Sequence, residues 1–244
     1  MMMNASRLSN ILFVDVECVP QMSSFYDLDD EMQALWEKKA SYMLNHAEEG
    51  TTAADLYENR SGIYAEFGKI IVISVWYIHM DADNNKSFRI KSFAGDDESS
   101  ILSEFFELLN SHYNQKYHRL CGHNVKEFDV PYICRRAMIN DLPLPDIIDT
   151  AGKKPREVNH LDTLEFWKFG DRKNFTSLDL LCRINNIPTP KDDISGEQVA
   201  SVYRNDKDLD RIATYCEKDV VATAKLYLKF VRRSGEMPDE VVTG

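Results

Sequence analysis

The apolar positions of this chain come in short, dense runs separated by acidic, helix-prone stretches. Ile11-Leu12-Phe13-Val14-Asp15-Val16 is almost continuously apolar and rich in β-branched residues, which predicts a central strand buried on both faces. Residues 20–66 then turn acidic, with Leu35, Trp36, Met43 and Leu44 as apolar anchors, and predict a helical insertion after that first strand. Ile70 to Ile78 reads as a second strong strand. A polar turn at 81–86 separates it from a hairpin partner at Ser87–Phe93. Asp96, Asp97 and Glu98 supply acids to the start of a helix carrying Ile101, Leu102, Phe105, Phe106, Leu108 and Leu109. A strand near Arg119–Gly122 and a helix from about Val125 to Asn140 follow. The charged, proline-containing segment 141–157 reads as a loop, and Val158–Asp162 as a short strand. Helices are expected near Ser177–Asn185, Gly196–Tyr203 and Asp206–Val231. This order predicts an α/β fold: one mixed sheet with helices packed on it.

A chain of 244 residues is long enough to bury a full core. Its net charge of −11 argues against binding nucleic acid over a broad basic face, but not against a nuclease, since part of the negative charge would belong to a metal site. The five cysteines (Cys18, Cys121, Cys134, Cys182, Cys216) form no C-x-x-C pair, and several have apolar neighbours. Reduced thiols and a cytoplasmic location are therefore expected. The N-terminus lacks an apolar leader segment and no apolar stretch spans a bilayer, so neither a secreted nor a membrane protein is expected. The histidines show no metal-ligand spacing, and a zinc site is not expected.

The candidate chemistry lies in four acids and a tyrosine. Side chains alternate along a strand, so Asp15 and Glu17 point to one side. Tyr215 and Asp219 are four apart, on one face of a helix. Asp129 follows Phe128 and precedes apolar Val130, Pro131 and Ile133. Each signal has a plain structural alternative: a solvated strand end, a boundary tyrosine with an exposed acid, or a helix-terminal acid facing the macrodipole. If the three segments meet, their carboxylates form a pocket suited to divalent cations that cleave phosphodiester bonds.

Together the three segments resemble the DEDD superfamily of 3′–5′ exonucleases, which have an RNase H-like fold. Asp15-x-Glu17 is similar to the first motif, Asn124-x-x-x-Phe128-Asp129 to the second, and Tyr215-x-x-x-Asp219 to the third in its tyrosine form. The histidine form would place His at the position held by Thr214, so the resemblance is to the DEDDy branch. Ala65–Ile70, Ile194–Val199 and Tyr215–Val220 look like stand-alone bacterial exonucleases related to the proofreading domain of family-B DNA polymerases. The resemblance runs from about residue 10 to 230 and leaves no room for a polymerase domain.

It implies one 3′–5′ exonuclease domain over residues 1–244, with Asp15, Glu17, Asp129 and Asp219 as catalytic metal ligands for two Mg²⁺ or Mn²⁺ ions. Asp15 would bridge both ions, Glu17 and Asp219 complete the first site, and Asp129 support the second. Tyr215 would orient the attacking water; with an ordinary pKa of about 10 it suits positioning better than general base work. Asn124 either holds the terminal nucleotide or braces the loop before Asp129. Phe128 reads as core more than as a stacking platform. Arg135, Arg136, Lys168, Arg172 and Lys173 are candidate phosphate contacts. Asp162-Thr163-Leu164-Glu165 resembles a helix capping box. The expected substrate is the 3′ end of single-stranded DNA, with an exoribonuclease and a catalytically silent nucleic-acid-binding protein as alternatives. The insertion at 20–66 is a candidate surface for a protein partner, and oligomeric state stays open.

Overall fold

The computed structural model describes residues 8–80, 86–171, 173, 175–188, 193–232 and 242–243. Its centre is one mixed sheet. Strand β1 (Ile11–Pro20) pairs antiparallel with β2 (Gly68–Met80), which pairs antiparallel with β3 (Lys86–Ala94). On its other side β1 runs parallel to β4 (Arg119–Gly122), and β4 parallel to β5 (Leu161–Asp162). A two-residue strand, β6 (Val242–Thr243), adds to the β3 edge, giving the order β5-β4-β1-β2-β3-β6. The expected polar turn at 81–86 falls almost wholly outside the described residues.

Alternation along β1 sorts the core into two layers. Leu12, Val14 and Val16 face α3 (Glu98–His112) and α4 (Asp129–Ile139), packing with Ile101, Leu102, Phe105, Val130 and Ile133. Ile11 and Phe13 face the opposite way, against α8 (Leu209–Phe230) through Val220, Ala224, Tyr227 and Leu228. Phe13 meets Trp76 and Tyr227 edge-on, with centroids 5.3 and 5.6 Å apart, each pair adding about 0.5–1.5 kcal/mol beyond area burial. Asp15 and Glu17 share the parity of Ile11 and Phe13. They therefore continue the α8 layer beyond its apolar part.

Between β1 and β2 lie α1 (Asp30–Leu44) and α2 (Ala53–Arg60), started by Asp29 and Thr52, whose side chains accept from Met32 and Asp55 backbone N–H groups. Trp36 is fully buried among Phe25, Tyr57, Tyr64 and Phe67, and its indole N–H donates to the Ala53 carbonyl at 2.7 Å. Leu35, expected as an anchor, is 55% exposed: one step round the helix from Trp36 turns it to solvent.

Three other expectations are corrected. The helix after β4 begins at Asp129 and not near Val125, because Asn124 takes the left-handed conformation (φ 65°) and its carbonyl accepts from Glu127 and Phe128 in a tight turn. The strand expected at Val158 starts only at Leu161. The regular helix expected over Gly196–Tyr203 is a 3₁₀ turn (Gly196–Gln198), one turn of α7 (Val199–Ser201) and a π-helical segment (Val202–Asp206), ending at left-handed Lys207. Helix α5 (Thr163–Lys168) follows β5 directly, and α6 (Leu178–Ile184) packs against α8. No helix among the described residues is long and apolar enough to cross a membrane.

Candidate active site

Parallel pairing of β1 with β4 ends at Phe13–Cys121, so Asp15 and Glu17 stand beyond the carboxyl end of β4. Crevices at the carboxyl ends of strands are where α/β sheets tend to form sites. The strand does not stop there, as expected from sequence. It runs on to Pro20 against β2, with a register break between Glu17 and Cys18. A bulge of this kind re-aims the neighbouring side chain.

Helix α8 crosses this part of β1. Its inward stripe, Ile212, Tyr215, Cys216 and Val220, follows the helical repeat and seats Tyr215 and Asp219 over the two strand acids. The Cys216 thiol lies 3.5 Å from Asp15 Oδ2 and 3.5 Å from the Asp15 carbonyl oxygen. A carboxylate oxygen from Asp15, one from Glu17 and the Cys216 sulfur all fall within 4.8 Å of one another.

Asp129 reaches the same place from the other helix layer. It is the first residue of α4, 3% exposed, and its carboxylate accepts from the Val16 backbone N–H, between the two strand acids. The turn that delivers it is tied down by Asp162, the last residue of β5. Asp162 Oδ1 accepts from the Asn124 and Leu164 backbone N–H groups at 3.0 and 2.9 Å, and Oδ2 from Lys126 at 3.1 Å. Asp162 thus caps α5, as its sequence suggests, and also clamps the β4–α4 turn. Gly122 makes the turn tight: a Cβ there would meet the Val125 Cβ at 2.6 Å and the Val14 carbonyl at 3.0 Å.

The structure therefore brings Asp15, Glu17, Asp129, Tyr215 and Asp219 together, and their electrostatics follow. Burial raises the Asp15 carboxyl well above its usual value, helped by the charges of Asp129, Asp219 and Glu17. Glu17 is raised by burial and by Asp219 and Asp129. Asp129 is pushed up to about 7, chiefly by burial, with its backbone hydrogen bonds opposing. Tyr215 is raised by burial, by the acids around it and by a hydrogen bond to Asp219. Its hydroxyl lies 3.9 Å from where a Cβ on Gly196 would stand, beside the Ser195-Gly196 turn. Four clustered acids that resist ionising together are a site for cations, and an all-oxygen carboxylate set fits a hard divalent ion.

The candidate substrate contacts divide. Asn124 and Phe128 belong to the turn before Asp129. The Asn124 backbone braces that turn, and half-buried Phe128 packs on the core with its ring 5.5 Å from Tyr132. Lys173 is exposed, its N–H held by Asp171, and Arg172 lies outside the described residues. Arg135 is exposed. Arg136 is not a phosphate contact: it is 3% exposed and paired with buried Glu98, its Nε 2.9 Å from Oε1 and its Nη1 donating to the Ala65 carbonyl at 2.8 Å. Lys168, Lys126 and Arg156 line a cleft of about 710 Å³ beside the Asp162-clamped turn. Sequence reasoning missed the Asp162 clamp and the approach of Cys216 to Asp15. The only sequence trace of the second was its place next to Tyr215.

A mixed sheet of this order, with helices on both faces and paired acids on its first strand, defines an RNase H-like α/β protein of the nuclease class. The family described as "predicted 3′-5′ exonuclease related to the exonuclease domain of PolB" matches residues 63–243, beginning after Asp15 and Glu17. The chain belongs to this family of 3′–5′ exonucleases. Among solved structures it is similar to the family B DNA polymerase from the hyperthermophilic archaeon Pyrobaculum calidifontis, with a TM-score of 0.56 and 15% identity over 91% of this chain and 24% of that one. It is also similar to E. coli exonuclease I in complex with a dT13 oligonucleotide, with a TM-score of 0.40 and 13% identity over 90% of this chain and 40% of that one. The chain thus spans less than half of either structure. No curated protein matches it.

Proposed function

We propose that the protein removes nucleotides one at a time from the 3′ end of single-stranded DNA, releasing 5′-mononucleotides with the help of two divalent cations. The observation that carries this reading is the convergence of Asp15, Glu17, Asp129 and Asp219 with Tyr215, from β1, α4 and α8, at one end of the sheet. The donor set suits Mg²⁺ or Mn²⁺. Asp15, Glu17 and Asp219 would hold one ion, with Asp15 and Asp129 serving the second. Bound there, the ions would make a water nucleophilic near neutral pH and offset charge on the leaving 3′-oxygen.

The chain's own residues do the rest. Tyr215 keeps its proton across the physiological range, so its hydroxyl orients by hydrogen bonding and does not act as a base. Asp162 holds the β4–α4 turn, and with it Asp129, at a fixed distance from β1. Asn124 on that turn is positioned to meet the terminal nucleotide, while Lys126, Arg156 and Lys168 give the adjoining cleft the positive charge a phosphate backbone needs. A location in the cytoplasm fits the five free cysteines.

The test is cleavage of 5′-labelled single-stranded DNA and RNA of one sequence, with Mg²⁺, Mn²⁺ or EDTA, beside Asp15→Ala and Asp219→Asn. A metal-dependent ladder shortening from the 3′ end, lost in both variants and stronger on DNA, is expected. Equal cleavage by either folded variant would remove these acids from the mechanism. Preference for RNA would replace the substrate assignment.

A further inference from the structure

Among the residues around the acid cluster, Cys216 has no part in magnesium-dependent cleavage. It is fully buried on α8, and its sulfur lies 3.5 Å from Asp15 Oδ2. Tetrahedral zinc binds sulfur at about 2.3 Å and a carboxylate oxygen at about 2.1 Å, so adjacent S and O ligands stand about 3.6 Å apart. The observed separation matches that bite without any movement. Glu17 supplies the third donor, within 4.8 Å of both atoms. It is 9% exposed, and among the described residues its carboxylate accepts no hydrogen bond. A buried carboxylate left without a donor and turned toward a thiol and a second carboxylate is a ligand set awaiting a cation.

We infer that Asp15, Glu17 and Cys216 form a three-ligand site for a thiophilic divalent cation, zinc above all, and that zinc held there displaces magnesium and silences the enzyme. Magnesium takes oxygen donors and ignores a thiol, so Cys216 is a bystander under magnesium and a ligand under zinc. On binding, the thiol gives its proton to solvent and the thiolate joins the two carboxylates, leaving a fourth position for water. Zinc is then preferred both by its higher place in the affinity order and by the sulfur. The silencing half of the inference rests on the nuclease reading; the binding half does not.

Its test uses the full chain and two probes, ZnCl₂ and CdCl₂, on the native protein, Cys216→Ala, Cys216→Ser and Cys182→Ala, each checked for an intact thermal transition. Cadmium reports the thiolate directly through its sulfur-to-metal charge-transfer absorption, and zinc affinity is read by competition with a chromophoric chelator. One equivalent of cadmium should raise this absorption in the native protein and in Cys182→Ala but not in either Cys216 variant. Zinc affinity should fall in the Cys216 variants by at least about tenfold, since losing even outer-shell partners costs 10–100-fold. The zinc concentration that halves magnesium-supported cleavage, normalised to each protein's own rate, should rise in parallel. Absence of the cadmium–thiolate band, or equal zinc affinity in Cys216→Ala, overturns the inference. Cys216-dependent zinc binding in a protein without nuclease activity would keep the site and reject only the nuclease reading.

Discussion

Without divalent cations the protein should become less stable as pH rises through neutrality, the reverse of what carboxylates usually do. Asp129 makes the size of this effect tractable. Its carboxyl is pushed from an ordinary 3.8 to about 7 in the folded protein. The folded state therefore binds a proton that the unfolded chain has released, and stability falls with pH between those two values. The gap, 7 − 3.8, is about 3 units; at 1.36 kcal/mol per unit this is roughly 4 kcal/mol lost between pH 4 and pH 8. Asp15 and Glu17 shift in the same direction and steepen the loss. At about 2–4 °C per kcal/mol for a chain of this size, the melting temperature should drop by roughly 8–16 °C from Asp129 alone. The assay is thermal unfolding in EDTA from pH 4.5 to 8.5, repeated with Mg²⁺, for the native protein and Asp129→Asn. The difference between the two proteins isolates Asp129 from the other carboxylates. In EDTA the variant should gain on the native protein as pH rises, and Mg²⁺ should restore the native protein at high pH. A difference that stays flat across the range would refute the claim that Asp129 is held protonated by burial and by its acidic neighbours.

Three further outcomes are expected. Tyr215→Phe should slow cleavage by about a hundredfold while leaving metal affinity nearly intact, as steady-state rates and a metal titration would show; a large loss of metal affinity would contradict a positioning role. Arg136→Met leaves buried Glu98 without its cation and should cost about 3–5 kcal/mol in urea unfolding, with no specific loss of DNA affinity in the refolded variant. Asp162→Ala releases the backbone N–H groups of Asn124, Lys126 and Leu164. It should lower kcat by at least about tenfold through displacement of Asp129, with amide exchange speeding up at those residues; unchanged exchange would show that the turn holds itself.

How much of this was legible in the chain depends on the range of the interaction. The period-2 pattern placed Asp15 and Glu17 on one side of β1, and the i, i+4 spacing placed Tyr215 and Asp219 on one face of α8; both hold because alternation and helical pitch are local properties of the backbone. The apolar runs at 11–16, 70–78 and 119–122 likewise mark β1, β2 and β4, and Asp97 caps α3 as the acids at 96–98 suggest. The start of α4 was misjudged for a local reason that the pattern hides: Asn124 adopts a left-handed conformation, which hydrophobic periodicity does not report.

What the tertiary structure alone decided are meetings between segments far apart in the chain. Arg136 looked like any surface base until α4 packed beside α3 and gave it Glu98, 38 residues away. Asp162 looked like a helix cap until parallel pairing of β4 with β5 brought the Asn124 turn to the same carboxylate. Cys216 looked like one more buried thiol until α8 crossed β1 and set its sulfur against Asp15, 201 residues away. The residue types and their local periods determined which side chains share a face. Which faces meet is set by strand order and register, and these minimise the free energy of the whole sheet and its two helical layers, a quantity no short segment carries.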